Sequence, residues 1–146
     1  MTDPDAVAAE MRRRDRVAEW LGIVLEEIAP GRARMTMRVR PEMVNTHGVC
    51  HGGLIFTLAD TAFGYACNSH NLNTVAAGAS IEFIAPARLG DALTAVAQER
   101  ALTGRTGVYD VEVTDGQGRR IALFRGKSHR ISGTVVPVEG GASPQE

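Results

Sequence analysis

The sequence is short of cysteine, has no long apolar run and carries almost no net charge, and each shortage removes a class of protein. Its 146 residues hold two cysteines, Cys50 and Cys67. Two are too few for a disulfide-stapled scaffold, and they read as free thiols of a reducing compartment. No apolar stretch approaches the ~20 residues that cross a bilayer. The start, Met1-Thr2-Asp3-Pro4-Asp5, lacks the basic and apolar regions of an export signal, so a cytoplasmic chain without a membrane partner is expected. Sixteen basic against seventeen acidic side chains leave a formal charge of -1. That balance argues against a nucleic-acid partner, although a local basic patch still suits a phosphorylated ligand. His47, Cys50 and His51 have no fourth ligand at a usual metal spacing, so no metal and no cofactor are expected. The length fits one domain, residues 1–134. Residues 135–146 hold Pro, Gly and Ser without periodicity and read as a disordered tail.

What is present is mostly periodic. Asp3-Pro4 reads as a helix start. Residues 5–21 then set Val7, Met11, Val17, Trp20 and Leu21 among Arg12, Arg13, Arg14 and Arg16 in one helix that Gly22 ends. Residues 22–28 form a strand, Pro30-Gly31 a turn, and residues 32–40 a second strand. There Ala33, Met35, Met37 and Val39 take one side and Arg32, Arg34, Thr36, Arg38 and Arg40 the other. Such alternation means a sheet with one buried and one wet face. Residues 42–53 read as a loop. A helix runs from His51 or Gly52 to Asn68, with Leu54, Ile55, Leu58, Ala59, Ala62, Tyr65 and Ala66 at helical spacing and Asp60 as its one charged side chain. Strands over residues 74–84, 91–102, 107–114 and 119–131 follow as a meander. One antiparallel sheet wrapped around a central apolar helix satisfies this order. The fold class is α+β, and the arrangement is the hotdog fold.

The chemistry concentrates between residues 45 and 68. Gly52 and Gly53 stand where a loop enters the helix. They either permit close packing of helix on sheet or let a ligand approach the backbone, where unpaired N–H groups and the positive end of the helix dipole can hold an oxyanion. Asp60 is costly inside an apolar helix unless it is paired, hydrated or functional. It is either bonded structurally, to Thr57, Thr61 or a distant strand, or it is a general base or nucleophile for acyl transfer. Eight residues separate Gly52 from Asp60, about 12 Å along one helix. The two reach one carbonyl only if they come from two chains with antiparallel helices at an interface, so a dimer at least is expected.

Cys50-His51-Gly52-Gly53, Leu58-Ala59-Asp60-Thr61-Ala62-Phe63, Tyr65-Ala66-Cys67-Asn68-Ser69 and Phe124-Arg125-Gly126-Lys127-Ser128-His129-Arg130 resemble the PaaI family, hotdog thioesterases of bacterial phenylacetate degradation. The resemblance implies hydrolysis of phenylacetyl-CoA and its ring-hydroxylated relatives by a tetramer made of two dimers, with the active site at the dimer interface. Carried over by position, Asp60 matches the catalytic aspartate, Gly52 the backbone donor to the thioester oxygen, and Asn45 an asparagine that positions thioester or water. His51 and Gly53 then shape the loop or line the acyl pocket. Phe56, Phe63, Tyr65 and Phe83 are candidates for an aryl pocket. Arg88, Arg105, Lys127 and Arg130 are candidates to meet the CoA phosphates. Two other readings share the fold. A hydratase or dehydratase would place a histidine beside its acid, and residues 54–68 contain none. A non-catalytic acyl-CoA-binding protein would need a further regulatory module.

Overall fold

The computed structural model describes residues 3–138. The N-terminal segment forms two helices, α1 (Pro4–Arg14) and α2 (Arg16–Leu21). The single helix expected here is broken at Asp15. Its backbone leaves the helical region, and its side chain accepts the Ala18 N–H at 3.0 Å as the cap of α2, a role aspartate takes readily. The other carboxylate oxygen accepts the Tyr65 hydroxyl at 3.3 Å, so the break also ties the helix pair to the centre of the fold. Gly22, with φ +69°, closes α2 in the left-handed conformation that glycine adopts without strain.

Six strands make one antiparallel sheet: β1 (Val24–Ala29), β2 (Arg32–Arg38), β3 (Thr74–Phe83), β4 (Ala92–Thr103), β5 (Thr106–Thr114) and β6 (Arg120–Arg130), in the order β1-β2-β4-β5-β6-β3. The alternation read from residues 32–40 is realised. Ala33, Met35, Met37 and Val39 are buried, while Arg32, Arg34 and Thr36 are half-buried and Arg38 exposed. The expected four-strand meander is instead three strands, β4 to β6, and β3 pairs with β6 at the far edge. The helix α3 (Gly52–Asn68) causes this. It carries the chain from β2 across the whole sheet, so the strand that follows can join only at the opposite side. This is the hotdog arrangement.

Helix α3 supplies the core the single sheet lacks. Ile55, Leu58, Ala59, Ala62, Phe63 and Ala66 are buried in one cluster with Met35, Met37, Ala95, Ala97, Val111 and Phe124 from the strands. Phe63 meets Tyr109 and Phe124 at ring-centroid distances of 5.6 and 5.8 Å. Gly126 in β6 lies directly beneath, where a Cβ would come within 2.8 Å of the Phe63 ring. Beyond α3, the Glu99 carboxylate accepts the Tyr109 hydroxyl at 2.9 Å and stands 2.7 Å from His70 Nε2. Of the tail expected from residue 135, Val136 exchanges two hydrogen bonds with the Asn71 side chain, and residues 139–146 lie outside the described residues.

Gly126→Ala should therefore overpack the centre of the core and lower stability by about 1–3 kcal/mol. Urea unfolding would measure it, and a loss no larger than that of an exposed-loop substitution would contradict the packing.

Candidate active site

The loop before α3 is held by Asn45. Its side-chain oxygen accepts the N–H groups of His47 at 2.9 Å and Val49 at 3.3 Å, and its backbone bonds Val49 and Gly48. Asparagine is suited to this local closure. The carboxamide oxygen is thereby committed to its own loop, and the amide N–H groups remain available. The Cys50 N–H donates to Ala87 and the His51 N–H to Met43, which seats the loop between the β2 exit and the turn after β3.

His51 caps α3. Its Nδ1 accepts the Gly53 N–H at 2.9 Å, so this nitrogen is the unprotonated one. Leu54 and Ile55 donate to the His51 carbonyl at 3.0 and 3.3 Å. With the His51 N–H on Met43, three of the four orphan N–H groups of the helix start, those of His51, Gly53 and Leu54, are satisfied. The Gly52 N–H has no partner among the described residues. It opens on a cavity of about 330 Å³ with apolar walls, formed chiefly by Val49, Ile55, Phe83, Ile84, Pro86 and Ala87. Its one other polar side group is the Cys50 thiol, which faces the His51 carbonyl at 3.7 Å. Burial pushes that thiol up to about 11, so it is not a thiolate nucleophile. Cys67 is likewise buried and pushed up to about 12.

Asp60 lies two turns further along, on the stripe of α3 that the sheet leaves uncovered, with Thr57, Thr61 and Gly64. Both neighbouring hydroxyls are already spent. Thr57 donates to the Gly53 carbonyl at 2.9 Å and Thr61 to the Thr57 carbonyl at 2.6 Å. Among the described residues nothing donates to the Asp60 carboxylate. It is half-buried, and desolvation raises its pKa above the ordinary carboxylate value. Asp60 does not line the cavity at Gly52 within one chain.

The other expected site residues separate. Arg88 is exposed in the turn that follows the cavity wall, with its backbone N–H on Asp91 at 2.8 Å. Lys127 sits on the outer face of β6, and Arg130 and Arg105 border a small hollow at the opposite end of α3 with His70 and Ser128. Only Arg88 adjoins the Gly52 cavity within the chain. Phe63, expected to contact substrate, is 1% exposed in the core. Tyr65 is buried on Asp15, and Phe56 packs edge-on against Phe124. Phe83 alone of the expected aryl set borders the cavity. Cys50, Ile84 and Ala87 were not expected there, because their approach depends on pairings distant in sequence. Among the described residues no group of three His, Cys, Asp or Glu side chains could hold a metal ion.

An apolar cavity beside a free helix-terminal N–H, on the central helix of a hotdog sheet, defines a class. Comparison with known proteins narrows it. The thioesterase superfamily model matches residues 47–122, more than half of the chain. The Escherichia coli acyl-coenzyme A thioesterase PaaI is 50% identical over 129 residues, covering 88% of this chain and 92% of that protein. The solved structure of the E. coli PaaI protein from the phenylacetic acid degradation operon matches with a TM-score of 0.89 at 49% identity, over 90% of this chain and 95% of that one. A hypothetical thioesterase of Streptococcus pneumoniae, solved with coenzyme A, matches with a TM-score of 0.72 at 28% identity, over 75% of this chain and 85% of that one. The chain belongs to the thioesterase superfamily, and within it to the PaaI type.

Both cysteines should resist alkylation near neutral pH in the folded protein and react once it is unfolded. Rapid native labelling at Cys50 would contradict a protonated, buried thiol.

Proposed function

We propose that the protein hydrolyses acyl-CoA thioesters, phenylacetyl-CoA and its ring-hydroxylated relatives foremost, in a cytoplasmic pathway of aromatic-acid breakdown. One observation carries the reading: a carboxylate and a helix-terminal N–H, both without partners among the described residues, stand on one apolar helix. Partial burial makes the charge of Asp60 costly to keep, and acyl transfer needs both groups. The Gly52 N–H donates to the thioester oxygen as negative charge develops there, a contribution of roughly 3–4 kcal/mol in enzymes that use such a donor. Asp60, ionised but poorly solvated, is a stronger base than an exposed aspartate. It takes a proton from water attacking the carbonyl and passes it to the departing thiolate, or it attacks the carbonyl itself, expelling the thiolate and forming a mixed anhydride that water then hydrolyses. CoA leaves as the thiol.

Two copies of the chain complete the site. About 12 Å of helix rise separates the two groups, so the Gly52 of one copy serves the Asp60 of the other. The outer edge of β3 supports this assembly. It is a ten-residue edge strand, Thr74–Phe83, whose residues are exposed or half-buried throughout, and long apolar edges of this kind need covering. Gly64, one turn beyond Asp60, leaves open space where a Cβ would stand, which lets a second helix approach. A dimer of such dimers is the full assembly. Asn45 uses its remaining amide N–H groups to orient thioester or water, His51 holds the loop in shape, and Gly53 admits the substrate backbone. Arg88 meets the CoA phosphates from the same chain, while Lys127 and Arg130 reach them only from another copy.

Asp60→Asn should fold and assemble yet lose roughly 10²–10⁴-fold in turnover. Its stability should move the other way. A carboxylate whose pKa is raised by folding binds more protons folded than unfolded between its ordinary and raised values. Stability therefore falls as pH rises through that window and stays lower above it. The Asn variant escapes the cost and should melt higher at neutral pH. An assembled variant with wild-type thiol release would remove Asp60 from the reaction.

The rate of the wild-type enzyme should fall on acidification through the raised pKa of Asp60, because the base must be ionised. A single turnover in isotopically labelled water separates the two routes, since label in Asp60 marks direct attack.

A further inference from the structure

One aromatic side chain stands beside the Gly52 α-carbon, in the cavity that both residues line. Phe83 is the last residue of β3, and the tip of its ring lies face-on to the position of a Gly52 Cβ. A Cβ on Gly52 would lie 2.9 Å from the ring tip Cζ and 3.3 and 3.4 Å from the two Cε atoms. Both Cε atoms are only slightly farther from that position than Cζ, so the ring turns one face of its tip to the glycine and leaves the opposite face for a ligand. The ring is 54% exposed, and its neighbour Ile84 is 53% exposed, although both are apolar and border the cavity. No other aromatic side chain lines that cavity: Phe63 and Tyr65 are buried in the core, and Phe56 is packed on Phe124. The cavity floor is aliphatic, from Val49, Ile55 and Ala87.

We propose that Phe83 is the residue that sets acyl-group preference, by offering a free aromatic face beside the oxyanion donor against which an aryl acyl group packs. The inference rests on the thioesterase reading above. Gly52 and Phe83 line the same cavity, so a thioester whose oxygen sits on the Gly52 N–H has its nearest acyl carbons within reach of the ring. An arylacetyl group has one methylene between carbonyl and ring, which suits offset or edge contact with a ring fixed at the donor itself. A straight acyl chain gains only its apolar contact there. The absence of a side chain at Gly52 and the presence of a large one at Phe83 are two halves of one device: a Cβ at Gly52 would collide with the ring.

The test compares wild type with Phe83→Leu and Phe83→Ala on phenylacetyl-CoA and hexanoyl-CoA, with thiol release and sedimentation velocity measured on each protein. Loss of the ring should reduce kcat/KM for phenylacetyl-CoA by about tenfold or more, mostly through KM, and change hexanoyl-CoA by less than about threefold. The leucine variant keeps apolar bulk at the end of β3, so its assembly should match wild type while its aryl preference is lost. Equal losses on both substrates, or unchanged preference in both variants, would overturn the proposal. Dissociation of both variants would overturn it too, because the lost preference would then follow from lost assembly rather than from the missing ring. A wild-type protein that cleaves neither thioester would instead remove the hydrolytic reading beneath it.

Discussion

The structure depends on one constraint: a single sheet has one face to bury, and the element that covers most of it is α3. The seventeen residues of that helix carry Leu58, Ala59, Ala62 and Phe63 into the sheet. A helix laid on one sheet is covered on one side only. The opposite stripe, with Gly53, Thr57, Asp60, Thr61 and Gly64, stays outside the core. That geometry gives the chain a central helix with an open flank, and Asp60 stands on it.

The flank is unfavourable in isolation. Asp60 is desolvated without a donor, and the two threonines that might have bonded it turn to the helix backbone instead. At the helix start, His51 satisfies Gly53 and leaves Gly52 bare. On the sheet, β3 exposes Val75 and Phe83 along an edge with no neighbour among the described residues. The desolvated Asp60 charge and the exposed apolar residues of β3 are local costs that the single chain leaves in place.

The far end of α3 is the converse. Ser69 accepts the Gly31 N–H and donates to Ala66, and Asn68 bonds both Gly64 and Thr74. Glu99 gathers Tyr109 and His70. Here polar groups near the core are paired, and the helix end is fastened to β3, β4 and the turn before β2. The rigid end and the unsatisfied end belong to one helix, which fixes the direction in which Gly52 and Asp60 face.

Much of this was legible from residue order. Period-two burial in residues 32–40, the near-uncharged stretch ending at Asn68, and a lone acid within it follow from local patterns, because burial repeats with the period of the backbone. Asp60 and the glycine pair stood out for the same reason. The sequence could not show that Phe63 is core while Phe83 borders the cavity, since both are aromatic and only the crossing of α3 over the sheet decides which one faces inward. Nor could it show that Arg88 adjoins the Gly52 cavity while Arg130 lies at the far end of α3, or that β3 pairs with β6. Those are consequences of contacts between segments far apart in the chain. The chain alone determined which elements form and which residue types carry reactivity. The tertiary structure decided which of them meet, because proximity across a sheet is set by strand order and register, which no local period encodes.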